Sequence, residues 1–310
     1  MDFKQLRALV TVAETGNVTR AATLLNIVQP AVSRQLRLLE EDVGAVLFER
    51  GRHGMELTQA GKTLLAYARR VLHEVERARA ELRPSEGVVG GIVTVGLLPS
   101  TCDLLSSAMV TAIARHYPGI RVRISMGYAG HLQRWLEDGE IDLALLYDPK
   151  QTPTIQVQPL LEEDLWIVGL PSTGFQADIP VALSALAGMP LVLPSAPHGL
   201  RSLVEHAATR KGVQLTVVAE TNAMSIQKSL VIAGHGLTIL PTIAVADDIA
   251  RGILVAAPLI EPALTRKIVL ALPANRQTTA SVHCVASTLV SCMKEAVDRG
   301  DWLAARWLAS

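Results

Sequence analysis

The stretch "NIVQPAVSRQLRLLE" (residues 26–40) decides how the N-terminal part of this chain folds. On a helix, Val32, Leu36 and Leu39 fall at i, i+4 and i+7 and make one apolar stripe. Pro30, Ser33, Arg34, Arg37 and Glu41 share another face. That second face is too polar for a core and too basic for an ordinary solvated surface, so it needs a partner. Immediately upstream, residues 19–25 read as another short helix, in which Ala21 and Ala22 are small enough for close helix approach. Asn26 to Val28 then form a tight turn. Two helices joined in this way, the second presenting polar residues near its N-terminus, match the helix-turn-helix geometry that enters a DNA major groove.

The side chains on that face suit the task. Gln29 at the helix start can pair with adenine, Ser33 can reach a base or a phosphate, and Ala31 can touch a thymine methyl. Arg34 and Arg37 suit guanine edges or phosphates, and the sequence leaves open which each contacts. Pro30, with Thr19 and Arg20 at the start of the preceding helix, completes the expected DNA-facing set. Downstream, "FERGRHGMELT" (residues 48–58) has apolar ends and Gly-marked bends, and reads as a small β-wing. Its Arg50, Arg52 and His53 are placed to lie along a phosphate backbone. For any single arginine, plain solvated surface is the better reading; their joint placement on helix and wing favours DNA. Val28 stands at the start of the recognition helix without a side-chain acceptor for its exposed N–H groups.

Three regions separate along the chain. Residues 1–57 are short helices with turns between them, the first expected to bury Phe3, Leu6, Val10 and Ala13 before Gly16 ends it. Residues 58–83 form one long helix, about 37 Å at 1.5 Å per residue. Along it Leu64, Ala68, Val71, Val75, Ala78 and Leu82 alternate spacings of 4 and 3, the pattern of a coiled-coil seam. The competing reading is packing on the same chain, but little of the chain remains nearby to cover it, so dimerisation is favoured. A Pro- and Gly-rich stretch, "RPSEGVVGG" (residues 83–91), marks a hinge over 84–91.

Beyond it, residues 92–310 alternate strands with helices: "GIVTVGLL", "IRVRISM", "IDLALLY" and "MPLVLP" lie among helical segments at 103–116, 200–211 and 225–233. This indicates an α/β region with a mainly parallel sheet, large enough for two lobes, about 92–168 with 267–310 and about 169–266. In such folds ligands settle between lobes, at strand C-terminal ends and helix N-termini. Ser100 and Thr101 open a helix after the first strand, with helix capping as the equal alternative. His198 and Arg201 flank another helix start, or form a surface network, and Thr221 occupies a similar place. Tyr128 and Tyr147 follow or end strands and would wall the cleft, although packing is the commoner use of tyrosine. Arg201 beside two helix N-termini favours an anionic ligand.

Composition excludes several classes. Net charge is zero, but residues 1–84 carry 13 Lys+Arg against 10 Asp+Glu (net +3) and the remainder 16 against 19 (net −3), a modest bias toward a basic N-terminal part. There is no apolar run of about 18 residues for a membrane span, and the N-terminus reads as an amphipathic helix, not a secretion signal. Cys102, Cys284 and Cys292 lack metal-ligand spacing and cannot all pair, which fits a reducing cytoplasm. Cys102 reads as a structural thiol, with no resolving partner nearby in sequence. An enzyme finds no support: there is no GxSxG, the nearest approach to HExxH ("HEVER", residues 73–77) lacks its second His, and no phosphate loop or metal site is present.

The 21–61 stretch, with its Ala-Ala pair, "QPAVSRQ", "LE…GAVLFER" and "LTQAG", resembles the winged helix-turn-helix of the LysR-type transcriptional regulators. The later α/β texture is similar to that family's two-lobed effector domain, itself similar to periplasmic binding proteins. "EEDLWIVGLP" (162–171) and "DWLAARWLAS" (301–310) resemble the nitrogen-assimilation-control branch. The resemblance implies a cytoplasmic homodimer, paired into a tetramer, that binds promoter DNA and engages RNA polymerase. It also implies a small, often acidic metabolite as effector, held near Ser100, Thr101, Tyr128, Tyr147, His198, Arg201 and Thr221, with no cofactor and no metal. The alternative is a small-molecule binding protein of periplasmic type without DNA function.

Overall fold

The computed structural model describes residues 1–51, 54–81, 89–150 and 152–309. The chain divides into two compact units, Met1–Ile92 with Glu137–Glu140, and Val93–Leu136 with Ile141–Ser310.

In the first unit, α1 (Phe3–Thr15), α2 (Val18–Leu24) and α3 (Gln29–Val43) precede a hairpin of β1 (Phe48–Gly51) and β2 (Gly54–Leu57), and α4 (Gln59–Glu81) follows. Local chemistry sets each boundary. Asp2 caps α1 by accepting from the Lys4 and Gln5 N–H groups while its own N–H donates to Gln5 Oε1, and Gly16 ends the helix in the left-handed region at φ 62°. Asn17 caps α2 by accepting from the Arg20 N–H. The turn that follows uses Asn26 at φ 55°, a conformation asparagine tolerates better than most residues. Val28 caps α3 with no side-chain hydrogen bond, and Gly44 closes that helix at φ 67°.

Val32, Leu36 and Leu39 are buried as the periodicity requires, against Leu6, Ala8, Leu9, Val12, Ala21 and Ala22. One expectation for α1 fails: Phe3 is 49% exposed, and Ala8, Leu9 and Val12 take the core positions beside Leu6. Val10 and Ala13 only border that core. The core face of the helix is thus rotated away from the stripe that starts at Phe3. The wing is fixed at its base by Glu40, whose Oε1 accepts from the Leu47 N–H at 2.8 Å. Near its tip, the Met55 N–H donates to the Gly16 carbonyl at 2.9 Å. Gly54 is required there, because a Cβ would lie 2.3 Å from that same carbonyl oxygen. Arg52 and His53 lie outside the described residues, as do Leu82 and most of the expected hinge.

The long helix differs from the expected seam. Leu64 and Ala68, with Leu72, pack against the core of their own unit, because α4 returns along α1. The side left uncovered carries Tyr67, Val71 and Ala78, with Tyr67 56% and Val71 42% exposed. Val75 is half-buried.

The second unit holds β3 (Gly90–Leu97), α5 (Pro99–His116), β4 (Gly119–Met126), α6 (Ala129–Glu137), β5 (Leu143–Tyr147), β6 (Ile155–Gly169), β7 (Val181–Ala182), β8 (Pro190–Pro194), α7 (Gly199–Lys211), β9 (Thr216–Thr221), α8 (Met224–Ile232), β10 (Thr238–Pro241), α9 (Ala246–Ala250), β11 (Val255–Ile260), β12 (Thr265–Pro273), α10 (Ala280–Asp298) and β13 (Ala305–Trp307). The sheet order is β4-β3-β5-β12-β6-β11-β7, with β10 and β13 also on β6, and β8 pairs β9 separately. The expected mainly parallel sheet is instead mixed. β3–β5, β8–β9 and β7–β11 run parallel, whereas β12 is antiparallel to β5 and β6, and β10, β11 and β13 are antiparallel to β6.

The reason is β6. Its 15 residues pair along their first part with β12 and β13 and along their last part with β10 and β11, so one strand serves two lobes. Separate apolar clusters flank its far end, one around Leu165, Ile167 and Leu193 and another around Val168, Val192 and Leu240.

Replacing Val28 with Ser adds a side-chain acceptor for the third-position N–H of α3, that of Ala31, which now donates only to the Val28 carbonyl at 2.9 Å. Val28→Ser is expected to stabilise the first unit by about 1 kcal/mol. Calorimetry would show the unfolding transition of that unit moving upward; a lower transition temperature would count against this helix start.

Candidate nucleic-acid interface and ligand cavity

With its apolar stripe buried, α3 turns Gln29, Pro30, Ser33, Arg34 and Arg37 to solvent, with Ala31 half-buried at their edge. Thr19 and Arg20 are exposed on the first turn of α2, and Arg50 is exposed on the wing strand β1. Gln29 Nε2 donates to Ser33 Oγ at 2.8 Å, so the two groups expected to meet bases are pre-aligned along one helix ridge. Arg37 Nε lies 3.5 Å from Glu41, with both side chains more than half exposed. Such an i,i+4 pair is worth only ~0.3–0.5 kcal/mol and exchanges readily for a phosphate. Among the described residues no acidic side chain holds Arg34. This face has the residue types, exposure and convexity of a major-groove reader flanked by a wing.

In the second unit, a cavity opens beside the first turns of α5, α7 and α8 and the end of β10, with about 340 Å³ of space between atoms, part of it open to solvent. Of the seven residues expected around a ligand, Ser100, Tyr128, Tyr147 and His198 line it. The other three lie off the lining. Thr101 is fully buried and its hydroxyl donates back to the Leu98 carbonyl at 3.0 Å, neither lining the cavity nor capping the helix, whose N-terminus has no side-chain cap. Arg201 is turned away by Glu205 at 2.6 Å and Glu220 at 3.0 Å, the surface network that was its alternative reading. Thr221 is buried, and its hydroxyl accepts from the Ala223 N–H ahead of α8.

Sequence reading missed the cation that does face the cavity. Arg266 on β12 is 5% exposed and pairs across strands with Glu163 on β6, itself 1% exposed. Arg266 Nε and Nη2 both lie 2.7 Å from Glu163 Oε1, and Nη2 donates to Ser100 Oγ at 2.9 Å. The second carboxylate oxygen of Glu163 accepts from the buried Trp302 indole N–H at 2.8 Å. The guanidinium also sits 4.8 Å over the Tyr147 ring. A signal did exist: Arg266 is in phase with Ile268 and Leu270, and Glu163 with Leu161, Leu165 and Ile167, so each charge falls on a buried strand face. Gln227, Met224, Leu240 and Pro241 were also missed; they reach the cavity through α8 and β10, whose pairing the sequence does not give.

His198 joins two sides of the cavity. Its Nδ1 accepts the Leu200 N–H at 3.2 Å and so caps α7, which leaves the ring proton of the neutral form on Nε2, 3.3 Å from the Tyr147 hydroxyl. Tyr128 meets the same ring edge-on, with centroids 4.4 Å apart. Close approach also explains Gly199, where a Cβ would come within 2.7 Å of the Tyr147 ring. Burial, and then the charge of Arg266, hold His198 down at about 4. Burial raises Tyr147 to about 12, against the opposing pull of Arg266. Both rings are therefore neutral near pH 7. Cys102 is pushed up to about 11 by burial and by Asp103, the opposite of a reactive thiolate.

The depressed His198 has a direct consequence for stability. Between about 6.5 and about 4 the unfolded chain binds a proton that the folded ring refuses, so stability falls as pH is lowered through that window. His198→Asn keeps a capping acceptor without a titrating ring. Thermal melts from pH 7 to pH 4 are expected to fall less steeply for this variant than for the wild type; parallel curves would refute the assignment.

Comparison with known proteins places this geometry. Residues 3–62 match the model described as bacterial regulatory helix-turn-helix protein, lysR family, and residues 86–293 match the LysR substrate binding domain. The HTH-type transcriptional regulator BbuR of Bordetella bronchiseptica is 30% identical over 304 residues, covering 97% of this chain and 93% of its own. The nitrogen assimilation regulatory protein nac of Klebsiella aerogenes is 30% identical over 242 residues, 78% of each chain. Among solved structures, full-length CbnR complexed with its target DNA shares the fold with a TM-score of 0.69 at 23% identity, covering 96% of this chain and 100% of that one. These relatives are regulators, neither enzymes nor periplasmic binding proteins, which removes the binding-protein alternative. The chain belongs to the LysR family of transcriptional regulators, joining a DNA-binding helix-turn-helix to an effector-binding domain.

Proposed function

We propose that this regulator reads promoter DNA in the cytoplasm with residues 1–57, dimerises through residues 58–83, and answers to a small anionic metabolite bound by residues 92–310. The observation that carries the reading is the exposed face of α3, whose Gln29, Ser33 and Arg34 stand clear of the core and of acidic partners. Thr19, Arg20, Pro30, Ala31, Arg37, Arg50 and Arg52 complete the DNA-contacting set. The uncovered side of α4, with Tyr67, Val71 and Ala78, meets the same side of a second copy, and two such dimers pair. Two-fold symmetry then presents two recognition helices to half-sites on one face of the duplex.

The effector rests against Ser100, Tyr128, Tyr147, His198 and Arg266. Of two arrangements of the regulator it binds one more tightly, shifting their balance and, across the 84–91 hinge, the spacing of the DNA-binding heads. RNA polymerase responds to the altered DNA.

Gel shifts on the region upstream of the chain's own coding sequence test the DNA reading. Arg34→Ala is expected to weaken operator binding by about 1–3 kcal/mol if the side chain reads a base, with relaxed specificity at that position. Unchanged operator affinity would remove Arg34 from the interface. Val71→Asp is expected to raise the dimer dissociation constant at least about tenfold, equivalent to ~1.4 kcal/mol. Sedimentation equilibrium reads this directly, and an unaltered constant would place the seam elsewhere.

A further inference from the structure

We infer that the effector is a small monocarboxylate with an apolar body, not a dicarboxylate, an amino acid or an uncharged molecule. This rests on the reading of the cavity as the effector site and narrows it to one chemical class. Arg266 is the single charged side chain among the described lining residues, since His198 is neutral at working pH. Its Nε and Nη2 are occupied by Glu163 and Ser100, and Trp302 holds Glu163 from behind. The guanidinium is thereby fixed in direction. Its Nη1 makes no hydrogen bond to any described residue, leaving a donor edge for a ligand oxygen. The charge is felt in front of the group, because it pulls the pKa of both His198 and Tyr147 downward, at Tyr147 against the larger effect of burial. One carboxylate is therefore matched in charge and in donors.

A second charge on the ligand has no counterpart. Among the described lining residues there is no Asp or Glu to receive an ammonium, and Glu163 is not part of the lining. A second carboxylate would need a second cation, but Arg201 is held off the lining by Glu205 and Glu220. Burying either charge unpaired is costly. The rest of the wall is Leu98, Leu200, Met224 and Leu240 with three prolines, the two tyrosine rings and Gln227, whose amide nitrogen donates to the Val192 carbonyl and the Thr238 hydroxyl, so a mainly hydrocarbon body is selected. Part of the roughly 340 Å³ between these residues is open to solvent, so the enclosed space is smaller still and only a small body is held.

Four six-carbon probes separate the classes: 4-methylpentanoate, its amide, leucine and adipate, each added to the full chain at equal concentration. The carboxylate is expected to raise the effector-unit melting temperature by roughly 2–4 °C, for about 1 kcal/mol of linkage, with the other three near zero. Arg266→Gln removes the rise; because it strands Glu163, the double variant Glu163→Gln, Arg266→Gln serves as the second test and should also lose it. Met224→Trp fills the cavity and should abolish binding of any occupant. Stabilisation by amide, leucine or adipate equal to that by the carboxylate overturns the class while leaving the cavity as the site, and no response to any probe overturns the class as well. A response that survives Met224→Trp overturns the cavity reading itself.

Discussion

The ion pair between Glu163 and Arg266 organises the effector domain. Both groups are almost wholly buried at the point where β6 passes from pairing with β12 and β13 to pairing with β10 and β11. A buried pair of this kind adds little net stability, but losing one partner alone costs on the order of 3–5 kcal/mol, because the other charge is left without compensation. The pair thus constrains its surroundings: a donor must reach the second oxygen of Glu163, and Trp302 supplies it. That requirement brings the C-terminal segment back across β6, where β13 adds as a strand and the Thr242 hydroxyl donates to the Leu303 carbonyl. The outcome is a guanidinium whose direction is set before any ligand arrives, which reduces the ordering cost of binding.

In the DNA-binding unit the equivalent constraint is the stripe of Val32, Leu36 and Leu39. Once these three are buried, the 100° advance per residue leaves no choice about where Ser33, Arg34 and Arg37 point. Glu40, next to the stripe, serves a different purpose from the exposed Glu41 one position later. It reaches the N–H groups that begin the wing, while Glu41 only shadows Arg37. Recognition helix and wing are in this way fixed by adjacent residues of one helix, so the spacing of Arg34 from Arg50 is a property of the fold rather than of flexible side chains.

What sequence reading captured and what it lost follows the range of the interactions involved. The three-helix order, the Asn26 turn, the hairpin and the uncapped Val28 are local, encoded within a few residues, and the structure shows each of them. Phe3 was misplaced because two overlapping 3.6-residue stripes run along α1, and only packing against α2 and α3 chooses between them. Leu64 and Ala68 were given to a partner because a seam pattern does not say whose core it fills; the fold of α4 back along α1 does. The antiparallel strands β6, β12 and β13 depend on pairings between residues more than 100 positions apart, such as Glu163 with Arg266 and Arg306 with Glu162, and no short-range pattern reports those.

The contrast between Arg201 and Arg266 shows why site residues are harder to read than folds. Both arginines occur near the ends of secondary-structure elements, and Arg201 has the more suggestive neighbours, a histidine and a helix start. Function depends instead on which donors remain after the protein has satisfied its own acids. Arg201 is shared between two carboxylates and a backbone carbonyl, all at its own end of the fold. Arg266 is hydrogen-bonded to one carboxylate, that of Glu163, and it lines the cavity beside the His198–Tyr147 contact. That contact joins the end of β5 to the start of α7, so an anion anchored on Arg266 lies where those two elements meet. Any difference in their separation between two states of the domain changes what the anion touches, and that difference in contact free energy is the quantity a regulator needs in order to respond.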